Sequence, residues 1–243
     1  MGIETAGEYL IEPRTAWVRR IRDELLLPRR ALAARRPPIP AIRAGTATRQ
    51  EVLDGFLLPT LWRILRFPEL MAVLGARCPA HDWEMRRALL RNAYEECEHP
   101  FLLARAIRAL GSDPDPILHG VPGAFTPSSE MLWRRDWFVY YAYHRPWIEG
   151  VAALQVAIEA IAPYALRPVW EGLREHYGLS EHDLAWFAVH AGEVEMRHGN
   201  EGILLLERYV AGDDVETQAR LYYVIDYSTR AAPPPGPAPA VRD

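Results

Sequence analysis

The chain has 243 residues, 49% hydrophobic and 25% charged, with a formal net charge of -4. That is enough apolar material for one large core, and there is no basic excess of the kind that marks a nucleic-acid surface. All 28 basic residues are arginine, which excludes Schiff-base and P-loop lysine chemistry.

Two cysteines, Cys78 and Cys97, lack the spacing of a disulfide framework or a CxxC motif. A reducing, cytoplasmic setting is therefore expected. The N-terminal run MGIETAGEYLIEPRTAW carries early acids and no apolar stretch, unlike a secretory signal. No apolar run reads as a membrane span, so neither a membrane nor a nucleic acid is expected as a partner.

The pattern divides the chain into three parts. Residues 1–45 read as an N-terminal helix followed by an Arg/Pro-rich connector. Residues 46–230 read as a helical bundle. Residues 231–243, AAPPPGPAPAVRD, read as a disordered Pro/Ala tail with nothing to bury.

Within the bundle, strand-like alternation is almost absent. Thr48 and Glu51 form an S/T-x-x-E capping box before the first run. Asp82 caps a helix that runs toward Gly111, and Pro100 is expected to bend it. Residues 130–144 and 146–176 follow, with Pro163 and Pro168 as further bends. A second capping box, Ser180 with Asp183, opens a helix expected to continue through residue 210. A last helix covers about 213–228. The fold class is all-α, a single-domain bundle of about seven helices with antiparallel neighbours.

Chemistry is sought where a helix places charge on its apolar face. Successive residues turn by about 100°, so faces can be sorted from spacing. Glu159 is the only carboxylate between Glu149 and Arg167, on a stripe with Ile148, Ala152, Val156 and Pro163. A buried lone charge costs several kcal/mol without a partner. The bland alternative is a glutamate paired with one of the many arginines, or one protonated in the core.

A second stripe carries Met85, Leu89, Asn92, Glu96, His99 and Leu103. Glu96 and His99 are three apart, the arrangement by which one helix gives a carboxylate and an imidazole to one metal. Glu95 is the other acid on this turn that could serve. A third stripe, Phe187, Ala191, Val194, His198 and Leu205, centres on His198, with His190 and Glu195 flanking it. Glu195-x-x-His198 repeats the Glu96-x-x-His99 spacing. Two such helices and a lone-glutamate helix match the logic of carboxylate-bridged di-iron or di-manganese bundles. Glu51 and Glu69 are candidates for a fourth carboxylate helix.

Three stretches, RNAYEECEHPFLLARAIRALG, ALQVAIEAIAP and LREHYGLSEHDLAWFAVHAGEVEMRHGNEGILLL, resemble the heme-oxygenase-like diiron oxidases. These belong to the wider superfamily of TenA-like and PqqC-like proteins, and the resemblance covers about residues 50–210. It implies a seven-helix bundle with Glu96, His99, Glu159, His190, Glu195 and His198 around two Fe(II), and O2 as co-substrate.

Two departures stand out. The family's aspartate is Glu195 here. Its first histidine, four residues before the acid, is replaced by Ala191, with His190 one residue earlier. A one-residue π-bulge would rotate His190 back to the site. Without it, His190 misses the metal, and either Glu193 substitutes or the site is altered.

The resemblance further implies an oxidase or oxygenase acting on a small amino-acid- or fatty-acid-derived substrate. N-oxygenation, oxidative C–C cleavage and desaturation are the reactions implied, often in natural-product biosynthesis, with an external electron donor and a homodimeric assembly. Tyr140, Tyr141, Tyr143 and Trp147 are candidates to line the substrate cavity, with core packing as the alternative. Arg134, Arg135, Arg145 and Arg167 are candidates to clamp a carboxylate. Two other readings stay open: a cofactor-free enzyme of the PqqC or TenA type, with His and Glu as acids and bases, and a degenerate, non-enzymatic binding protein.

Overall fold

The structure, a computed structural model, describes residues 11–230. The Pro/Ala tail of 231–243 and residues 1–10 lie outside them. Every regular element among the described residues is helical.

The chain begins with α1 (Ala16–Ile21), which runs through a π-helical turn (Arg22–Leu26) into α2 (Leu27–Ala33). The short α3 (Ile39–Arg43) leads to α4 (Arg49–Val52), a second π-helical turn (Leu53–Leu57) and α5 (Leu58–Ile64). Pro59 sits in the first turn of α5, where a missing N–H costs least. The capping box at Thr48 and Glu51 is formed, with both partners satisfied. Glu51 is thereby an exposed cap, not a site carboxylate.

Next come α6 (Phe67–Arg77), α7 (Trp83–Glu96) and α8 (His99–Ala109). Asp82 caps α7 by accepting from the Met85 N–H at 3.2 Å. The bend expected at Pro100 is a break: α7 ends at Glu96, and α8 restarts at His99 with Pro100 in its first turn. Gly111, with φ of 96°, closes the segment in the left-handed conformation that glycine favours.

After α9 (Asp115–Leu118) the chain forms α10 (Ser129–His144) and α11 (Trp147–Val151). α11 continues as a π-helical segment (Ala152–Glu159), then α12 (Ala162–His176), which contains Pro168. By length and composition the stretch Trp147–His176 could cross a membrane, which corrects the reading that no such run exists. Its most apolar window is 78% buried inside the bundle, so it is a core helix. The chain ends with α13 (Ala185–His190), α14 (Glu193–Tyr209) and α15 (Val215–Thr229).

Two apolar clusters form the core. One gathers residues of α1, α6, α7, α10, the 147–161 stretch, α14 and α15. The other gathers α3, residues 52–61, α8, α12 and α13. Buried side chains of α7, α8, α13, α14 and the π-helical segment converge where these clusters meet, and the polar residues considered below lie at that junction.

Close approach there depends on glycine. A Cβ on Gly199 of α14 would lie 2.9 Å from the Ala160 Cα, and one on Gly202 would lie 2.9 Å from Val156. Arg30 of α2 closes the same end of the segment. It is 3% exposed and donates to the Ala160 carbonyl and to the Tyr164 hydroxyl, both at 2.7 Å.

Candidate metal centre

Six titratable side chains, each at most 5% exposed, come from five elements. Glu96 ends α7 and His99 begins α8. Glu159 ends the π-helical segment, His190 ends α13, and Glu195 and His198 lie in the first turns of α14. The break between α7 and α8 keeps Glu96 and His99 together, with Glu96 Oε2 2.7 Å from His99 Nδ1.

His190 reaches the centre by a different route from the one expected. The bulge expected beside it is absent. α13 stops at His190, Gly192 is extended (φ -113°, ψ -159°), and α14 starts again at Glu193. This break replaces a bulge as the device that turns His190 inward. Arg167 of α12 donates to the Ala191 carbonyl at 3.3 Å, satisfying a group the broken helix leaves free. The Glu193 side chain lies outside the described residues.

His190 Nε2 is 3.2 Å from Glu195 Oε1 and 4.0 Å from Glu96 Oε2. Its Nδ1 is 2.7 Å from the Trp186 carbonyl, which can only accept, so Nδ1 carries the hydrogen and Nε2 presents its lone pair. The His99 and His190 rings meet edge to face at 4.2 Å.

The ligand atoms fall into two groups. Glu96, His99 and His190 each offer an atom within 4.8 Å of the others, and so do Glu96, Glu195 and His198. Glu96 belongs to both. Glu159 lies beside the second group, with Oε2 3.9 Å from His198 Nδ1. Glu69, the remaining candidate carboxylate, is exposed and paired with Arg66 and Tyr143.

Electrostatics separate the carboxyls. Burial opposes ionisation of Glu96, but the imidazoles of His190 and His99 outweigh it and hold this group at about 2. Burial pushes Glu159 and Glu195 well above the usual carboxyl range, and neighbouring carboxylates add to the effect. Burial also lowers His190 and His198, so both favour the neutral, lone-pair-bearing form.

Several inward atoms, Glu96 Oε1, Glu195 Oε2 and His198 Nδ1 among them, have no hydrogen-bond partner. Orphaned buried acceptors are costly. A mixed set of carboxylate oxygens and neutral imidazoles suits a divalent first-row metal, and these orphans are the atoms such an ion would satisfy.

One nearby residue carries no functional assignment from the sequence. Asn92 is fully buried one turn before Glu96 and donates to both oxygens of Glu159, at 2.9 and 3.1 Å. Its place on the apolar stripe of α7 was the available signal. Glu95, weighed above as a rival to Glu96, lies outside both three-residue groups and contacts His198 Nε2 at 2.8 Å.

The candidate substrate residues have other partners. Tyr140 packs edge-on against Tyr141. The Tyr143 hydroxyl donates to Glu69 on the surface. Arg145 is paired with buried Glu149, which also holds Arg220. Arg134 binds Glu130 and carbonyls at the end of α15, and Arg135 pairs with Asp136. These contacts tie them to helix ends and surface pairs.

A helical bundle with imidazoles and carboxylates converging at its core has the donor set found in helical metal–carboxylate proteins. Residues 61–223 match the family described as iron-containing redox enzyme. The chain belongs to that family. It is 28% identical over 169 residues to a 4-aminobenzoate synthase of Chlamydia trachomatis serovar D, covering 68% of this chain and 69% of that one. A TenA homolog from Pseudomonas syringae pv. tomato superposes with a TM-score of 0.75 at 17% identity, over 94% of this chain and 93% of that one. A domain of unknown function from Shewanella denitrificans, with a heme oxygenase-like fold, gives 0.69 at 14% identity over 85% of each. The fold is thus heme-oxygenase-like, as the sequence resemblance implies.

Proposed function

We propose that the chain is a non-haem diiron enzyme that uses O2 to oxidise a small amino-acid- or fatty-acid-derived substrate. N-oxygenation, oxidative C–C cleavage and desaturation are the reactions considered, within natural-product biosynthesis. The observation that carries the reading is the sharing of Glu96 between two donor groups in a buried site. A carboxylate at that position suits a bridge between two ions, as in helical carboxylate centres. Family membership and the likeness to a 4-aminobenzoate synthase of Chlamydia support it.

When bound, two ferrous ions supply the electrons that activate O2, and an external donor restores them. The chain's own residues prepare that chemistry. Glu96, His99 and His190 form one donor set, and Glu96, Glu195, His198 and Glu159 form the other. The Trp186 carbonyl fixes the His190 tautomer. The two apolar clusters exclude bulk water, which strengthens the electrostatic interactions inside.

The test is O2 uptake by the iron-loaded chain with a reductant, across a panel of amino acids and fatty acids. Substrate-dependent uptake abolished by a chelator supports the reading. Substrate conversion that persists with chelator present overturns it in favour of the cofactor-free alternative.

A further inference from the structure

Glu95 is half-buried at the outer edge of the centre. Its Oε2 lies 2.8 Å from His198 Nε2 and accepts from Arg197 Nη2 at 2.7 Å. Arg197 Nη2 is itself 3.3 Å from His198 Nε2. Held by Arg197, Glu95 can only accept, so the hydrogen in its contact with His198 belongs on Nε2. The neutral ring then has its lone pair on Nδ1. That atom has no hydrogen-bond partner and faces Glu159 Oε2 at 3.9 Å.

We infer that Glu95 is a positioning residue for metal binding. With Arg197 it fixes the tautomer and orientation of His198, so that Nδ1 is the ligating nitrogen. The two metal-facing histidines of α13 and α14 are then held alike from outside but through opposite nitrogens. His190 is tied at Nδ1 by a backbone carbonyl and ligates through Nε2. His198 is tied at Nε2 by a carboxylate and ligates through Nδ1. A carboxylate behind an imidazole raises its basicity and fixes its aim, and losing such a partner commonly weakens metal affinity by about 10–100-fold.

The inference rests on the metal-centre reading, yet it can fail separately from it. The direct test is a long-range 1H–15N correlation of the histidine rings in the full chain, metal-free and loaded with diamagnetic Zn(II). The expected result is His198 protonated at Nε2 in both states, with Nδ1 bound to zinc in the second. Zinc on Nε2 overturns the inference while leaving the metal-centre reading intact. Failure of the chain to take up zinc or iron overturns that reading, and the Zn(II)-dependent inference with it.

Titrating Fe(II) anaerobically into Glu95→Ala and Glu95→Gln gives the second measurement. Glu95→Ala should weaken one metal equivalent by about 10–100-fold, and Glu95→Gln, which keeps an acceptor, should recover most of it. Unchanged affinity in Glu95→Ala overturns the inference. Complete loss of one equivalent in both variants also overturns it, because Glu95 would then be a ligand itself. Arg197→Ala, at an exposed position, provides a further variant whose expected effect has the same direction and is smaller than that of Glu95→Ala.

Discussion

The Asn92 amide donates to both carboxylate oxygens of Glu159, from one turn before Glu96 on the same helix. One face of α7 therefore contributes Glu96 to the shared position and also holds the carboxylate that closes the π-helical segment. Asn92→Ala would leave Glu159 buried without this donor. The expected cost is about 1–3 kcal/mol of stability, read by denaturant unfolding, with weaker metal binding in the second group. Unchanged stability and affinity would show that the contact contributes nothing.

Glu159→Ala should remove about one metal equivalent while the far-ultraviolet circular dichroism stays that of the wild type. The residue ends its helical segment, and alanine keeps the local backbone preference. Full retention of iron would remove Glu159 from the ligand set.

His190→Ala and His198→Ala should each abolish O2-dependent activity. The helix break brings His190 Nε2 to 3.2 Å from Glu195 Oε1, within the proposed donor set. Preserved activity in His190→Ala alone would assign the break a purely structural role.

Metal uptake should release protons, and affinity should rise with pH. Glu159 and Glu195 are held well above the usual carboxyl range, so the metal-free native state keeps protons that the unfolded chain gives up near its carboxyl pKa of about 4.3. Stability of the metal-free protein from these two groups is therefore full below that value and is lost as pH rises through their folded pKa values. Glu96 acts in the opposite sense: its contribution is present above about 4.3 and is lost as pH falls toward about 2. Calorimetric metal titration in two buffers of different ionisation enthalpy counts the protons. A buffer-independent heat would contradict the assignment.

Gly199→Ala should push α14 away from Ala160, because the added Cβ meets backbone atoms at 2.9–3.0 Å. A loss of about 1–3 kcal/mol is expected for such overpacking, together with weaker metal binding as His198 moves away from Glu159. A neutral effect in both measurements would mean the two segments can separate freely.

Much of the centre was legible where the relevant geometry is local. Glu96 and His99 lie three residues apart, and Glu159 is the lone carboxylate of its segment. The capping pairs Thr48 with Glu51 and Ser180 with Asp183 formed as their spacing suggests. The way His190 arrives was not legible, because the break at Ala191–Gly192 leans on Arg167 from another helix. The roles of Asn92 and Glu95 were hidden for the same reason: their partners lie 67 and 103 residues away. Tyr140, Tyr141, Tyr143 and Trp147 carry no such local signal, because packing residues and cavity-lining residues share one composition. Tyr143 turned out to bind Glu69, and Arg145 to bind Glu149.

Glu96 belongs to both donor groups, and two ions are proposed to share it. Anaerobic reconstitution with ferrous iron, counted per chain and followed by absorbance on exposure to O2, tests it most directly. Close to two irons per wild-type chain and a transient visible band are expected, with fewer than two irons and no such band in Glu96→Ala. A folded wild-type chain that binds no iron, or a Glu96→Ala variant that still binds two and gives the same band, would contradict it.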